Sequence, residues 1–329
     1  MSRVLVIGGT LFIGRALVRR LLARGDDVTI LHRAQGTPFG GRVAEIHCDR
    51  NDASGIRRKL SGERFDVVYD NVYDWERGTT AEQVLASAEA CSKGLSRYVY
   101  MSSVAAYGEG LDRGEDSPLA GRDHPEPYVR NKAGAERALL GLHRASGFPA
   151  VTLRPPFIYG PENPFYREAF FWDRLLAGRP LILPGDGSRL MQFVHVDDLA
   201  RAAILAAESD AAPGRAYNIA HERPLTQQEA VRAMAAAAGR EAELVNVDRA
   251  TIEARGGSVF RPPYYFGQYF DMPPITQKTD RARGELGFKP RTFAEGLADT
   301  FDWYQQQTGR EAPDFSWEDE LLEAVAGSE

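Results

Sequence analysis

The 329-residue sequence predicts an α/β fold, a doubly wound parallel sheet with enough further chain for a second lobe. Two observations predict this fold. Short runs of apolar and β-branched residues alternate through the first half of the chain with longer stretches of helical periodicity. The first of these runs also leads directly into a glycine-rich turn and a helix. Parallel sheets of this kind bind ligands beyond the carboxyl ends of their strands, so we expect functional side chains directly after the strands.

The start of the chain is typical of a dinucleotide-binding turn. Residues 4–7 are apolar, as in a buried strand, and two glycines follow as a tight turn before Gly14 opens a helical segment over residues 15–24. Turn glycines let backbone N–H groups approach a pyrophosphate, and a helix N-terminus favours its charge, as in a Rossmann fold. Leu11 stands where the middle glycine is expected, so this stretch alone also fits an ordinary turn. The cofactor-binding residues predicted here are Gly8, Thr10, Leu11, Phe12, Ile13 and Gly14.

Further strands and two long helices are expected downstream. The strands are predicted over residues 28–31, 43–48, 66–69, 97–101 and 151–153, and the helices over residues 80–93 and 129–145.

Charged residues follow two of these strands. No acidic residue follows the second strand to accept hydrogen bonds from the ribose hydroxyls of NAD(H). Arg33 stands there and can pair with a 2′-phosphate, so we predict NADP(H) over NAD(H); the alternative is a solvated surface charge. Asp49 follows the third strand, either as a contact of the adenine amino group or as a loop aspartate.

Composition and charge argue against several classes of function. The net charge is −6 and no basic run occurs, so the sequence shows no footprint for nucleic acid or for an anionic membrane surface. Cys48 and Cys91 lie far apart and the histidines are scattered, which indicates neither a disulfide nor a metal site. Residues 1–20 read as a strand and a turn rather than a leader, and no apolar run approaches the ~20 residues of a membrane span. We therefore expect a cytoplasmic protein with a small-molecule substrate.

A serine, a tyrosine and a lysine are spaced as a proton-transfer group. Ser103 follows the fifth strand, and Tyr128 and Lys132 lie four residues apart in the next helical segment. At this spacing they share one helix face, where the ammonium group favours the phenolate and lowers the pKa of the tyrosine. Tyr128 is then a general base or acid for a substrate hydroxyl or carbonyl, and Ser103 hydrogen-bonds the same oxygen. The Tyr-x-x-x-Lys pattern alone is common by chance and gains its meaning from the glycine turn and the serine.

In these features the chain resembles the extended short-chain dehydrogenases/reductases, the NAD(P)-dependent sugar epimerase/dehydratase family. The resemblance covers about residues 3–304. Besides the features above, it rests on later motifs, namely Arg154-Pro-Pro-Phe-Ile-Tyr-Gly-Pro161, Gly185-Asp-Gly187, Phe193-Val-His-Val-Asp-Asp198, Tyr217-Asn-Ile219 and Leu286-Gly-Phe-Lys-Pro290. Their order and spacing are specific for the fold and the cofactor, and much less so for the substrate.

The resemblance implies roles for particular residues. Ser103, Tyr128 and Lys132 form the catalytic triad, and Lys132 also holds the nicotinamide ribose. The further cofactor-binding residues are Asn71, Pro155 and Phe157, the last two beside the nicotinamide.

The resemblance also implies how the chain is divided. A dinucleotide-binding Rossmann domain takes residues 1–160 with 194–221, and a smaller substrate lobe takes residues 161–193 with 222–310. An acidic tail follows over residues 311–329, which either docks on the lobe or frays. A homodimer is implied as well, through a four-helix interface made by the helices over residues 80–93 and 129–145.

One departure from the family bears on the reaction. Family dehydratases carry an acidic pair just after the serine, and members that epimerise next to a carbonyl carry a cysteine in the same turn. Here Val104 and Ala105 stand at these positions, and neither side chain transfers a proton. The expected chemistry is therefore reversible hydride transfer, by an epimerase or by a reductase.

Other departures bear on the substrate. Met191 stands where nucleotide-sugar enzymes commonly carry a diphosphate-binding arginine, and Phe157 replaces a common asparagine. Arg189 and Arg261 are candidates for the missing anion contact, and Tyr73 is a further candidate substrate residue. The expected substrate is a sugar or nucleotide-sugar-like secondary alcohol or ketone.

A last departure keeps a non-enzymatic alternative open. Leu11 and the strand end Asp70-Asn-Val-Tyr73 resemble an atypical branch of the family that includes chloroplast stem-loop-binding-like proteins. In that alternative the protein binds RNA or has a regulatory role, and the dinucleotide site is a sensor. Retention of the serine, tyrosine and lysine together argues against it, as does the acidic net charge.

Overall fold

The computed structural model describes residues 1–327, which form two compact units. The first unit contains Met1–Ile158, Val194–Glu222 and Ile275–Pro290. The second contains Tyr159–Phe193, Arg223–Pro274 and the chain from Arg291 onward.

The strands of the described chain are β1 (Arg3–Ile7), β2 (Asp27–His32), β3 (Ala44–His47), β4 (Val67–Asp70), β5 (Arg97–Met101), β6 (Gly110–Arg113), β7 (Ala150–Arg154), β8 (Phe157–Tyr159), β9 (Leu181–Pro184), β10 (Leu190–Met191), β11 (Phe193–His195), β12 (Ala216–Asn218), β13 (Leu225–Thr226), β14 (Leu244–Val247) and β15 (Ile275–Gln277). Its helices are α1 (Phe12–Ala23), α2 (Ala53–Leu60), α3 (Ala81–Ala90), α4 (Pro127–Ser146), α5 (Glu168–Leu176), α6 (Val196–Glu208), α7 (Gln227–Ala237), α8 (Arg249–Ala254), α9 (Asp280–Leu286), α10 (Phe293–Gln305) and α11 (Ser316–Ala326), with 3₁₀ turns at Gly40–Arg42 and Val104–Tyr107.

The first unit is built on a parallel sheet whose strand order, within residues 1–327, is β12-β7-β5-β4-β1-β2-β3. Strand β1 lies between β2 and β4, with Val4 opposite Val28 on one side and Val67 on the other. Alternate side chains of β1 enter different cores: Val4 packs in the cluster that α1 and α6 help to build, and Leu5 in the cluster of α2, α3 and α4. Helices therefore cover both faces, and the predicted doubly wound fold is confirmed.

Element bounds differ from the predictions by a few residues, most visibly at the first helix. We expected it to begin after Gly14, but α1 begins at Phe12. Its N-cap is Leu11, which makes no side-chain capping hydrogen bond. Leucine is a poor N-cap residue, so the sequence carries no signal for the true start.

The structure divides the chain differently from the expected lobes in one segment. Residues 275–290, expected in the substrate lobe, belong to the first unit. Strand β15 pairs with β6 of that unit, and Phe288, after α9, is fully buried in the same cluster as α1 and α6. The pairing and this burial hold the segment against the sheet.

The second unit has two small sheets and an aromatic core. Strand β14 pairs in parallel with β9, and β13 pairs antiparallel with β10. Phe171 contacts the rings of Phe266 and Phe270 at centroid distances of 5.0 and 6.2 Å. The segment that follows Phe260 thus supplies core side chains of this unit.

The acidic tail contributes a helix to the second unit. Helix α11 buries Leu321, and Glu318 pairs with Arg174 of α5 at 2.7 Å. Residues 328 and 329 of the expected tail lie outside the described residues. No helix within residues 1–327 has the length and hydropathy to span a membrane.

Candidate active site

The glycine turn after β1 is closed by a side chain from the end of β4. Gly8 has a φ of +89°, and its carbonyl accepts a hydrogen bond of 3.2 Å from Asn71 Nδ2. A Cβ added to Gly14 would lie 1.8 Å from the oxygen of Gly8, so only glycine allows α1 to approach the turn this closely. The sequence motif therefore forms the tight strand-turn-helix unit that it predicts.

The N-terminus of α1 is arranged to accept an anion. No side chain caps it, and its first turn contains no acidic residue, so its positive end is not already neutralised. Beside it, Asn71 Oδ1 is buried and has no hydrogen-bond partner within the described chain. A cofactor hydroxyl group would satisfy this acceptor. Thr10 and Ile13 are half-buried and Leu11 is exposed around the same turn. These residues fit a dinucleotide.

Four charged side chains cluster after β2, β3 and β4. Arg33 donates to Asp74 at 3.1 Å, and Arg77 donates to both Asp74 and Asp49, the latter at 2.7 Å. Hydrogen bonding and ion pairing in this cluster lower the pKa of Asp49 against the opposing effect of burial, which is the largest single influence on it. The two residues predicted after the second and third strands, Arg33 and Asp49, are therefore linked through Asp74 and Arg77. Neither linking residue was predicted from the sequence.

The structure positions the predicted serine at a turn. Ser103 follows β5, is buried, and caps the 3₁₀ turn by accepting a hydrogen bond of 3.1 Å from the N–H of Ala105. Val104 in turn donates to the carbonyl of Pro155 at 2.9 Å, which ties this turn to the end of β7. Phe157 follows as a half-buried residue of β8.

Tyr128 and Lys132 both lie on α4, as predicted. The Nζ of Lys132 is buried, donates to the carbonyl of Met101 at 2.7 Å, and lies 5.8 Å from the ring centroid of Tyr128. Burial lowers the pKa of Lys132 to about 8, although the negative charges of Asp70 and Glu136 act in the opposite direction. The ammonium group is thus held between the end of β5 and the tyrosine ring.

An aromatic cluster surrounds Tyr128. Trp75 stacks on Tyr128 with a centroid distance of 4.8 Å and an interplanar angle of 20°, and Tyr73 meets Tyr128 edge-on, also at 4.8 Å. Lys132 Nζ lies 5.4 Å from the ring of Tyr73, within the range of a cation–π contact. The structure thus brings Tyr73 to Tyr128 and Lys132. Trp75, 58% exposed, was missed, although its position two residues after Tyr73 was a usable signal.

A buried ion pair lies at the end of β4, near Lys132. Arg50 pairs with Asp70, the last residue of β4, and Tyr98 donates to the same carboxylate at 2.7 Å. Arg50 also donates to the carbonyl of Gln83 and to the hydroxyl of Ser87 in α3. The pair links the carboxyl ends of two strands to a helix and sets part of the charge environment of the neighbouring lysine.

The predicted substrate residues of the second unit are placed differently from one another. Arg189 pairs with the buried Asp271, at 3.1 Å to its carboxylate and 2.8 Å to its carbonyl. Asp271 also accepts from Arg249, which raises the pKa of that arginine. Met191 is buried in β10, and Arg261 is exposed. Arg189 is thus already engaged by a carboxylate of its own unit.

Comparison with known proteins identifies the family. A model of the NAD-dependent epimerase/dehydratase family matches residues 4–220. The chain belongs to this family. It is 30% identical to the chloroplast stem-loop binding protein of 41 kDa b of Arabidopsis thaliana, over 98% of this chain and 84% of that protein. It is also 30% identical to 2-alkyl-3-oxoalkanoate reductase of Stenotrophomonas maltophilia, over 99% of each chain.

Solved structures agree with this membership. A double mutant of dTDP-glucose 4,6-dehydratase from Streptomyces venezuelae, solved with NAD bound, superposes with a TM-score of 0.72 and 25% identity. The match covers 97% of this chain and 99% of that one. The protein is thus an enzyme of the extended short-chain dehydrogenase type, and the resemblance noted in its sequence is confirmed.

Proposed function

We propose that this enzyme is an NAD(P)-dependent reductase or epimerase that acts by reversible hydride transfer on a secondary alcohol or ketone. The observation that carries the proposal is the Tyr128–Lys132 pair on α4, beside the serine-capped turn after β5. Val104 and Ala105 occupy the two positions after the serine, so neither position carries an acidic or basic side chain for the expulsion of water. Dehydration is therefore disfavoured in this chain.

The proposed mechanism assigns each side chain a separate task. The nicotinamide cofactor supplies or accepts the hydride when bound. Tyr128 removes the proton from the substrate hydroxyl in the oxidative direction and returns it in the reductive direction. Lys132, fixed to the carbonyl of Met101, places a positive charge beside the phenol ring and favours its ionised form. Ser103 hydrogen-bonds the reacting oxygen and steadies its developing charge.

We propose NADP(H) as the preferred cofactor. The end of β2 offers Arg33 and no acidic side chain in sequence, and the guanidinium group is 61% exposed. An arginine at this place favours a 2′-phosphate, whereas a carboxylate would favour the free ribose hydroxyls of NAD(H). Gly8, Asn71 and the N-terminus of α1 would hold the remainder of the dinucleotide.

The substrate we propose is sugar-like, with a nucleotide sugar as the first candidate class. Relatives include dTDP-glucose 4,6-dehydratases, and a relative at 30% identity is a reductase of 2-alkyl-3-oxoalkanoates, whose reacting group is a ketone. Both substrate classes contain a secondary alcohol or a ketone. The aromatic faces of Tyr73 and Trp75 suit the apolar C–H face of a sugar ring.

An RNA-binding or regulatory role is the second candidate, favoured by the relative named as a stem-loop binding protein. The net charge of −6 argues against it, because RNA affinity depends on neutralising phosphates. Filter binding with a stem-loop RNA separates the two roles. Affinity that persists at physiological salt supports the RNA role, and no binding at low salt removes it.

Replacement of Tyr128 by phenylalanine tests the enzymatic role. We expect a loss of turnover of about 100-fold or more, because proton transfer contributes at least this much. The measurement is NADPH oxidation with a panel of keto sugars and 3-oxoalkanoates, with NADPH affinity measured in parallel. Tyr264→Phe, in the second unit, is the matched control and should keep normal turnover. Near-normal turnover of Tyr128→Phe would contradict the proposed role.

A further inference from the structure

Two arginines meet at a single carboxylate oxygen beside the proposed cofactor site. Asp74 Oδ2 accepts from Arg33 Nη1 at 3.1 Å, from Arg77 Nε at 3.0 Å and from Arg77 Nη2 at 2.6 Å. The aspartate is buried, but the side chains of Arg33 and Arg77 are 61% and 51% exposed. The guanidinium groups therefore share an anchor inside the protein and face solvent on their other side.

Asp74 is itself firmly placed by its own loop. Its Oδ1 accepts from the N–H groups of Glu76 and Arg77, at 3.0 and 2.9 Å, and its own N–H donates to Thr79 at 3.0 Å. These backbone hydrogen bonds, with the ion pair to Arg77, lower the pKa of Asp74 to about 2. The carboxylate stays charged throughout the physiological pH range and holds the arginine pair in one geometry.

The cluster has donors to spare and few free acceptors. Arginine has five N–H donors. Of the three side-chain nitrogens of Arg33, only Nη1 has a partner within residues 1–327. Nη1 of Arg77 is likewise unengaged in that part of the chain. Asp49 accepts from Arg77 and from the N–H of Asn51. Although the four charges sum to zero, an incoming ligand meets N–H donors, and these suit a phosphate group.

The positions of Arg33 and Arg77 in the fold indicate which phosphate group of a dinucleotide they would bind. Arg33 directly follows β2, and Arg77 lies in the loop that follows β4. Both strands pair with β1, whose glycine turn fits the pyrophosphate. In this fold the residues after β2 meet the adenosine ribose. A phosphomonoester beside that ribose is the 2′-phosphate of NADP(H).

We infer that Arg33 and Arg77 together form the binding site for the 2′-phosphate of NADP(H), with Asp74 as the positioning residue. This inference rests on the proposed function, because it assumes that a dinucleotide occupies the turn after β1. It adds to that proposal a second cofactor-specificity residue, from a loop distant in sequence from β2.

Binding of nucleotide fragments tests the inference without a substrate. We would titrate the full chain and its Arg77→Ala variant with 2′,5′-ADP, 5′-AMP, NADPH and NADH by calorimetry. Loss of charge-assisted hydrogen bonds should weaken 2′,5′-ADP and NADPH by about 10- to 100-fold and leave 5′-AMP and NADH within about twofold. Arg57→Ala, which removes an exposed arginine of α2 with a weak ion pair, is the control and should change none of the four affinities.

Asp74→Asn separates positioning from folding. A merely structural defect would weaken the binding of NADPH and NADH alike, whereas a positioning role lowers the ratio of NADH to NADPH dissociation constants.

Competition with inorganic phosphate distinguishes the source of the anion. If phosphate alone binds as tightly as 2′,5′-ADP in an Arg77-dependent manner, the nucleotide assignment is wrong.

The outcomes also separate this inference from the proposed function. If NADPH and NADH bind with affinities that Arg77→Ala leaves unchanged, the arginine site is overturned while the dinucleotide function stands. If none of the dinucleotides binds, the proposed function itself is overturned.

Discussion

At the scale of single residues, Lys132 connects the charge environment to the chemistry. Its ammonium group is buried among the rings of Tyr73, Tyr100 and Tyr128, and a backbone carbonyl accepts its hydrogen bond. Burial lowers its pKa to about 8, while the charges of Asp70 and Glu136 raise it and that of Arg50 lowers it further. This lysine is thus mostly protonated at pH 7 and loses its charge as the pH rises past about 8.

The lowered pKa of Lys132 should make the free energy of unfolding depend on pH. Between pH 8 and 10.5 the unfolded chain holds a proton on Lys132 that the native state has lost, so stability from this group rises with pH. The slope is at most about 1.4 kcal/mol per pH unit. Replacement by methionine removes this dependence.

Urea unfolding from pH 7 to 10.5 measures the effect, with Lys93→Met, an exposed lysine, as the control. The free energy of unfolding of Lys132→Met should exceed that of the control most strongly at pH 7. This difference should disappear by pH 10.5. A difference between the two variants that does not vary with pH would contradict a lowered pKa at Lys132.

At the scale of elements, the strand-turn-helix unit at the chain start decides the cofactor site. Helix α1 approaches the turn so closely that Gly14 has no room for a side chain. Within residues 1–327 its N-terminus has no side-chain cap and Asn71 Oδ1 has no hydrogen-bond partner, and both lie at the same turn. The packing of this turn and the proposed binding of a dinucleotide thus depend on the same few backbone atoms.

Gly14→Ala should therefore lower both stability and dinucleotide affinity. The added Cβ meets a backbone oxygen at 1.8 Å, so the helix must move, at a cost of about 1–3 kcal/mol or more. Thermal unfolding and NADPH titration measure the two effects. The control is Gly134→Ala in α4, whose Cβ would make an ordinary contact of 3.8 Å, and which should stabilise the helix by about 1 kcal/mol. Equal behaviour of both variants would show that α1 tolerates displacement.

The sequence predicted those parts of the fold that depend on local pattern. Strands such as β5 and β7 are short runs buried on both faces, and the sequence pattern located them to within one residue. The edge strand β3 is largely exposed but was located equally well. The start of α1 was placed three residues late because Leu11 is not a typical cap. Sequence spacing also placed Tyr128 and Lys132 on one helix and Ser103 at a strand end, as the structure has them, and their catalytic role stays a prediction.

Features that depend on strand order could not be read from the sequence. Arg50 and Asp70 lie twenty residues apart, after β3 and at the end of β4, and these two strands are not neighbours in the sheet. Arg77 and Arg33 share the carboxylate of Asp74, although the loop that holds Arg77 follows β4, two places from β2 in the sheet. A charged residue in a strand-end segment predicts a functional position, but its partner is fixed by topology.

At the scale of the whole molecule, a buried network ties the first unit together behind the site. Arg154 of β7 binds Glu136 of α4 at 2.6 Å, and its other nitrogen donates to Tyr107 in the 3₁₀ turn. Tyr107 donates in turn to Asn218 of β12. Neighbouring strands, a helix and the serine turn therefore share one set of hydrogen bonds, which fixes the backbone that holds the catalytic groups. The homodimer through α3 and α4 stays a prediction, which light scattering of the purified protein checks.

The cofactor of the purified protein tests the central claim most directly. We would denature the protein, identify and quantify the released nicotinamide nucleotide, and titrate any empty protein with NADPH, NADP⁺, NADH and NAD⁺. We expect a bound or readily bound nicotinamide nucleotide, with NADP(H) preferred. Near-stoichiometric retention points to an epimerase that keeps its cofactor, and an empty site that binds NADPH points to a reductase. If the protein binds none of the four forms, the proposed dinucleotide-dependent function is wrong.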